Sequence, residues 1–231
     1  MISIQQVNQK YGGTQILWDL NLDIPTGAVT CIMGRNGVGK TTLLKCLMGL
    51  LPVSGGEIKL AGEAIHNKSA ESRASLGIGY VPQGRDVFPL LTVEENLRIG
   101  LPVRKDKCKE IPEKIYELFP VLKDMRHRLG GDLSGGQQQQ LAIGRALVIE
   151  PKALILDEPN EGIQPNIVKQ IGDVILKLNR EENLTVILVE QKLGFARRVG
   201  QEFRLMEKGR IVASDRMENL NDNLIKQHLA V

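Results

Sequence analysis

The sequence predicts an α/β protein: a mainly parallel sheet covered by helices on both faces, with a helical lobe inserted between the two halves of the core. Three observations carry that reading. Beyond Pro151, short apolar runs alternate with helical patterns, as a parallel sheet with crossover helices requires. A glycine-rich loop at residues 34–41 stands between an apolar run and a helical pattern. Between them, residues 85–150 are mainly helical in spacing. The whole chain, 1–231, then forms one domain, with a core lobe of about 1–84 and 151–231 and a helical lobe of about 85–150, a size that one large domain accommodates.

In chain order, the runs Ile2 to Val7, Ile16 to Ile24, Ala28 to Met33 and Glu57 to Leu60 are β-rich and punctuated by Gly, Pro and Asn, the marks of strands joined by turns. One helix interrupts them, with Leu43, Leu44, Leu47 and Met48 on its apolar face, and it stops near Gly49 to Pro52. Ile78 to Val81 is a further strand leading into Pro82 and Gln83. Thr92 to Ile99 and Ile111 to Met125 read as one helix each, and another pattern runs through Leu141, Ile143 and Leu147. Then follow strand Ala153 to Leu156, helix Ile167 to Asn179, strand Thr185 to Val189, helix Leu193 to Val199, and strands near Phe203 to Met206 and Arg210 to Ala213. Nothing in the spacing of Val212 to Val231 declares a regulatory domain.

Composition excludes several classes of function. Thirty Lys and Arg against twenty-seven Asp and Glu leave a net charge of +3, far from the dense basic stripe of a dedicated nucleic-acid binder. Four Phe, three Tyr and one Trp are too few for a platform of stacked bases. The longest run free of Asp, Glu, Lys and Arg, Leu133 to Gly144, contains Ser, Gly and four Gln, whereas a membrane span needs about 18 mostly apolar residues. The opening residues lack the basic flank and apolar segment of a secretory signal, so a cytoplasmic protein is expected. Cys31, Cys46 and Cys108 have no metal-ligand spacing and read as reduced thiols.

The chemistry is concentrated in a few short segments. Gly34-Arg35-Asn36-Gly37-Val38-Gly39-Lys40-Thr41 fits the phosphate-binding pattern G-x-x-x-x-G-K-[ST] between a strand and a helix. In that context glycines let backbone N–H groups curl round anionic oxygens, the helix N-terminus adds its positive end, Lys40 reaches the β- and γ-phosphates, and Thr41 can ligate Mg²⁺. Thr42 continues the same turn. This loop alone does not choose between GTPases, kinases, motors and transport ATPases. Ala153 to Glu158 is an apolar strand ending in two carboxylates; Asp157 is the candidate Mg²⁺ holder and Glu158 the candidate base for an attacking water.

Between them stands Leu133-Ser134-Gly135-Gly136-Gln137, opening a helical pattern. With this pentapeptide the chain resembles the nucleotide-binding domain of ATP-binding cassette (ABC) proteins, from Tyr11 to at least Gln191 and with the motifs in the family's order. The resemblance implies a P-loop ABC-type fold with a RecA-like core, an antiparallel β-subdomain and an inserted helical lobe, working on ATP with Mg²⁺. It implies that Ser134, Gly135, Gly136 and Gln137 face the γ-phosphate of ATP held by an opposite subunit, in a head-to-tail homodimer or a heterodimer with a second ABC ATPase. Tyr11 matches the aromatic that stacks on adenine. Gln83 matches the glutamine that senses Mg²⁺ and the γ-phosphate, and Gly84, Arg85, Asp86, Val87, Phe88 and Pro89 lie where a permease helix docks, Phe88 being the candidate anchor.

Two positions depart from the common family pattern. Gln191 stands where a switch histidine is usual; it can hydrogen-bond a phosphate oxygen but cannot carry a proton as His does. Asn160 stands where Thr is expected, with at most a modest effect on turnover. Gln at the switch position is common in ATPases of the branched-chain amino acid importer class, and the segments 34–52, 116–122, 130–147 and 161–165 resemble the urea importer branch of that class. The implied protein is an ATPase peripheral to the cytoplasmic face of a bacterial inner or plasma membrane. It would couple ATP hydrolysis to uptake of urea or, alternatively, a branched-chain amino acid or other amide. Integral-membrane permease subunits and, indirectly, a periplasmic or extracellular solute-binding protein would be its partners, with no nucleic acid. A soluble ABC ATPase acting on nucleic acid or ribosomes fits less well, because the interval from Lys40 to Ser134 leaves room only for a small lobe. A cassette without hydrolysis is disfavoured by the presence of Lys40, Asp157 and Glu158 together.

Overall fold

The computed structural model describes residues 2–104 and 106–229; the ends of the expected domain, at 1 and 231, lie outside them. The chain runs β1 (Ile2–Tyr11), β2 (Thr14–Ile24), β3 (Val29–Met33), α1 (Lys40–Met48), β4 (Gly55–Leu60), β5 (Glu63–Ala64), α2 (Ala70–Ser75), β6 (Ile78–Val81) and α3 (Val93–Arg98). It continues through α4 (Glu113–Leu118), α5 (Pro120–Asp124), α6 (Gly135–Leu147), β7 (Ala153–Asp157), α7 (Pro165–Glu182), β8 (Thr185–Val189), α8 (Leu193–Val199), β9 (Glu202–Glu207), β10 (Arg210–Arg216) and α9 (Asp222–His228).

Two sheets result. The larger has the strand order β10-β9-β3-β8-β7-β6, parallel from β9 to β6, with β10 pairing antiparallel at one edge. The smaller, of order β2-β1-β4-β5, is antiparallel throughout. Strand side chains alternate between faces, so the unbroken apolar run of β8 fills two cores at once: Val186 and Leu188 pack on the side of α6, α7 and α8, whereas Ile187 and Val189 pack with α1 and the smaller sheet. All four are fully buried, and each contributes about 1.5–3 kcal/mol of transfer free energy.

Most local boundaries follow from named residues. Helix α1 ends at Gly49, whose φ of 74° places it in the left-handed region, as a glycine helix stop requires. Helices α3 and α6 each open with a capping box, Thr92 with Glu95 and Ser134 with Gln137, satisfying two end N–H groups reciprocally. The single helix expected over Ile111 to Met125 is instead two, α4 and α5, broken at Phe119 (φ −133°, ψ 76°). Pro120 is the cause: it has no N–H for the ladder and pushes the preceding residue out of the helical region. Helix α7 is longer than its apolar pattern, because Pro165 fits the first helical position and the last turn, ending at Glu182, is polar.

Strand order places the candidate site. Parallel strands β3, β8, β7 and β6 are neighbours in register, with Ile32 opposite Val189, Asp157 opposite Val189 and Val81 opposite Leu156. Their C-terminal ends therefore share one edge of the sheet. The glycine loop, Asp157 with Glu158, Glu190 with Gln191, and Pro82 with Gln83 all emerge there, where open α/β sheets bind ligands.

Candidate nucleotide site

The glycine loop leaves β3 and wraps into the N-terminus of α1. Gly34 cannot carry a side chain: a Cβ would lie 2.4 Å from the Met206 carbonyl oxygen in β9. Gly39, the residue before α1, has a φ of 106°, which L side chains rarely adopt. Lys40 is 5% exposed and folds back over the loop, its Nζ donating to the Gly34 and Arg35 carbonyls at 2.8 and 2.9 Å. Burial pulls its pKa down, and the nearby Glu158 and Asp157 carboxylates oppose that shift. Glu158 Oε1 is 4.0 Å from Nζ. An ammonium so held is a point charge kept ready at the mouth of an anion cradle.

Asp157, at the end of β7, is buried with neither carboxylate oxygen making a hydrogen bond of full geometry. Burial raises its pKa; the adjacent Thr41 hydroxyl offsets part of the rise, Glu158 adds to it, and Lys40 draws it down. Buried carboxylate oxygens without partners cost free energy. Two such oxygens beside a hydroxyl fit a hard divalent cation such as Mg²⁺, which takes oxygen ligands from one or two protein groups and keeps several waters.

Glu158 follows in the left-handed region (φ 48°), its N–H donating to the Val189 carbonyl at 2.9 Å. That turn directs its side chain at the loop. Gln191, just past β8, donates through Nε2 to both Glu158 Oε1 and Asn36 Oδ1, each at 2.6 Å. One carboxamide thus ties the glycine loop to the acidic strand end. A cavity of about 700 Å³ opens among these groups; Asn36, Gly37, Lys40, Thr41, Glu158 and Gln191 line it, as do Gly39 and Thr42.

Other expected residues have different surroundings. Gln83 lines the same cavity but donates to Glu161 Oε2 at 3.0 Å. Val38 lies at the back of the loop, where its carbonyl accepts from Gly209 N–H at 2.9 Å. Tyr11 is 46% exposed, paired with Thr14 across the β1–β2 turn; Ile16, not Tyr11, is the residue of this hairpin that lines the cavity. Ser134, Gly135, Gly136 and Gln137 form the first turn of α6 and, among the described residues, none of these four lines the cavity of its own chain. Phe88 is 46% exposed, with the Arg145 guanidinium 5.2 Å from its ring centroid, and Asn96, wholly buried, holds this loop through Phe88 N–H and the carbonyls of Phe88, Leu91 and Thr92.

Residues that sequence reasoning did not single out also belong here: Ile16, Glu161, Glu190 and Lys192 all line the cavity. Glu190 had one available signal, its place at the end of an apolar strand next to Gln191. Its contact with Asn160, a position the sequence marks only as a departure from Thr, has no such signal, because the two lie in different loops.

A family model for ABC transporters matches residues 17–161. The chain belongs to the ABC transporter family. It is an ATPase of the ABC type. It is 41% identical over 216 residues to the high-affinity branched-chain amino acid transport ATP-binding protein BraG of Pseudomonas aeruginosa, covering 93% of this chain and 92% of that protein. It is 39% identical to the probable branched-chain amino acid transport ATP-binding protein LivF of Archaeoglobus fulgidus, covering 91% and 90%. Among solved structures, the dimeric bacterial ABC transporter cassette MJ0796 superposes with a TM-score of 0.84 at 26% identity, over 94% of this chain and 99% of that one. A post-hydrolysis state of that cassette, bound to ADP and Pi, gives 0.83 at 25% identity and the same coverage.

Proposed function

We propose that this cassette is the ATP-hydrolysing subunit of an importer for branched-chain amino acids. The observation that carries the solute class is the similarity over nine-tenths of the chain to two branched-chain amino acid transport subunits. A second reading, urea, rests on the resemblance of segments 34–52, 116–122, 130–147 and 161–165 to the urea branch, including Glu161 to Pro165.

The geometry supports one set of roles for the site. Backbone N–H groups of 36–41 and the α1 N-terminus cradle the phosphates, and Lys40 leaves the Gly34 and Arg35 carbonyls to meet the β- and γ-phosphates. Thr41 and Asp157 would hold Mg²⁺, with Gln83, now bonded to Glu161, as a further candidate ligand; the ion would neutralise phosphate charge. Glu158 accepts a proton from the attacking water, and Gln191 fixes the carboxylate that does so. Ile16, which lines the cavity where Tyr11 does not, would meet the base end. Ser134 to Gln137 serve the nucleotide of the opposite subunit, in a pair of cassettes that closes on ATP and reopens after phosphate release.

The core lobe, about 1–84 and 151–231, would bind nucleotide, and the helical lobe, about 85–150, would carry the signature turn and the permease contact at Phe88. Among the described residues no helix is long and apolar enough to cross a membrane. On the importer reading the pore belongs to separate permease subunits, and the cassette sits peripherally at the cytoplasmic face of the membrane. The test is uptake of labelled leucine and labelled urea in cells lacking this protein and in cells rescued by the wild type or by Lys40→Ala. Loss of leucine uptake, restored only by the wild type, supports the proposal. Loss of urea uptake alone moves the subunit to the urea branch, and unaltered uptake of both overturns both readings.

A further inference from the structure

Behind the switch residue lies a second buried polar group that the hydrolysis chemistry does not itself use. Glu190 is 3% and Asn160 1% exposed. Asn160 Nδ2 donates to Glu190 Oε2 at 2.5 Å, while Glu190 Oε1 accepts from the backbone N–H groups of Gln191 and Lys192, each at 2.8 Å. The ring closes on the other side: Lys192 Nζ donates to the Asn160 carbonyl at 2.8 Å. Asn160 is therefore gripped at both its amide and its carbonyl by the two residues that flank Gln191.

Geometry explains why such an arrangement matters. Gln191 follows the last residue of β8 by two positions, beyond the ladder that fixes Val189. Its backbone N–H is held by the Glu190 carboxylate, and its side chain must present one N–H to Glu158 and another to Asn36. A carboxylate that collects two successive backbone N–H groups sets the path of the chain through both residues. Asn160, two residues after Glu158, anchors that carboxylate, so the loop bearing the base and the loop bearing its carboxamide partner move as one piece.

We propose that Asn160 and Glu190 are positioning residues for hydrolysis: through the backbone of 191 and 192 they hold the Gln191 carboxamide against Glu158. The inference rests on the ATPase activity of the cassette and goes beyond it by assigning a role to two residues that do not meet the reacting atoms. It also gives the Asn at position 160 a reason. Its side chain supplies an N–H donor that reaches a carboxylate, which a Thr hydroxyl, shorter by one atom, reaches less far.

The test is a suppressor cycle on the full-length chain with Mg²⁺ and ATP. Asn160→Asp sets a carboxylate against the Glu190 carboxylate and should lower kcat about tenfold or more, the effect of losing a hydrogen bond to a charged group, while KM for ATP stays within about twofold. Adding Glu190→Gln to that variant places a carboxamide at position 190, which keeps its oxygen on the two backbone N–H groups and donates to the carboxylate now at position 160. The double variant should return kcat to within about threefold of wild type. Loss in the single variant and recovery in the double supports the proposal. A kcat unchanged by Asn160→Asp at temperatures below its melting point overturns it, leaving the pair a fold support only. So does a loss that Glu190→Gln fails to repair while the double variant melts like the wild type. A wild type that does not hydrolyse ATP would instead overturn the activity itself, so the two failures are told apart by the wild-type lane.

Discussion

Gln191 Nε2 lies 2.6 Å from Glu158 Oε1 and donates to it, and the same nitrogen donates to Asn36 Oδ1 at an equal distance. The carboxamide uses both of its N–H groups on two different loops, and neither can be taken over by an aliphatic side chain. Gln191→Ala frees the Glu158 carboxylate to rotate, and the expected cost is about ten- to hundredfold in kcat. Single-turnover hydrolysis at saturating ATP measures it; a rate equal to wild type would remove Gln191 from the chemistry.

Asp157 predicts a gain in stability at the cost of function. Its folded-state pKa is raised, chiefly by burial, so the ionised form is destabilising in the ligand-free chain. Between the ordinary carboxylate value of about 3.9 and the raised folded value, the native state binds more protons than the unfolded state, and stability falls as pH rises. Asp157→Asn removes that charge. At pH 7 without nucleotide it should unfold about 1–3 kcal/mol less readily than wild type, and the difference should shrink as pH falls through the raised pKa. Urea titrations at pH 7 and pH 4 check the sign, and ATP turnover should be lost in the same variant.

Lys40 makes its two hydrogen bonds to the loop itself, so its loss alters ligand response more than the fold. At ATP concentrations about 100 times Kd, the wild type should gain about 2.7 kcal/mol of stability. Lys40→Ala should gain almost none at that concentration. Melting curves with and without ATP decide the matter.

Arg73 is only 2% exposed and donates to the carbonyls of Cys46, Leu47, His66 and Lys68. It closes the C-terminus of α1, where a cation complements the helix dipole, and burial lowers its pKa. Arg73→Met fills much of the volume but strands these carbonyls, and should destabilise the chain by about 3 kcal/mol. Denaturant midpoints at constant slope measure the loss.

Phe88 gives the complementary outcome. Its ring is half exposed under Arg145, and it does not line the nucleotide cavity. Phe88→Ser should leave ATP turnover by the purified chain within about twofold of wild type, as surface changes do, while solute uptake by cells falls. Turnover and uptake measured on one variant separate docking from catalysis.

What was legible in the sequence was what is contiguous in it. Gly34 to Thr41 and Asp157 with Glu158 declare themselves because each phosphate or cation contact comes from neighbours in the chain, at the end of an apolar strand whose burial is equally plain. The contacts joining loops were not legible. Gln83 with Glu161, Asn160 with Glu190, and Gln191 with Asn36 unite residues that only the strand order of the sheet brings together. Arg73 escaped notice for a related reason: α2 is a short polar helix without apolar periodicity, and its one buried side chain is there for its donors. The break at Phe119 was written in Pro120, yet the apolar spacing on either side of it read as continuous.

The first turn of α6 does not line the cavity of its own chain, so in the proposed head-to-tail pair each chain would lend one half of a site to its partner. Genetic complementation follows. A chain disabled at Lys40 and another disabled at Ser134 would each be silent alone, yet together they would assemble one whole site from two intact halves. A damaged allele of this subunit would then be judged by the company it keeps, and two recessive lesions in different halves could restore growth to a cell that carries both.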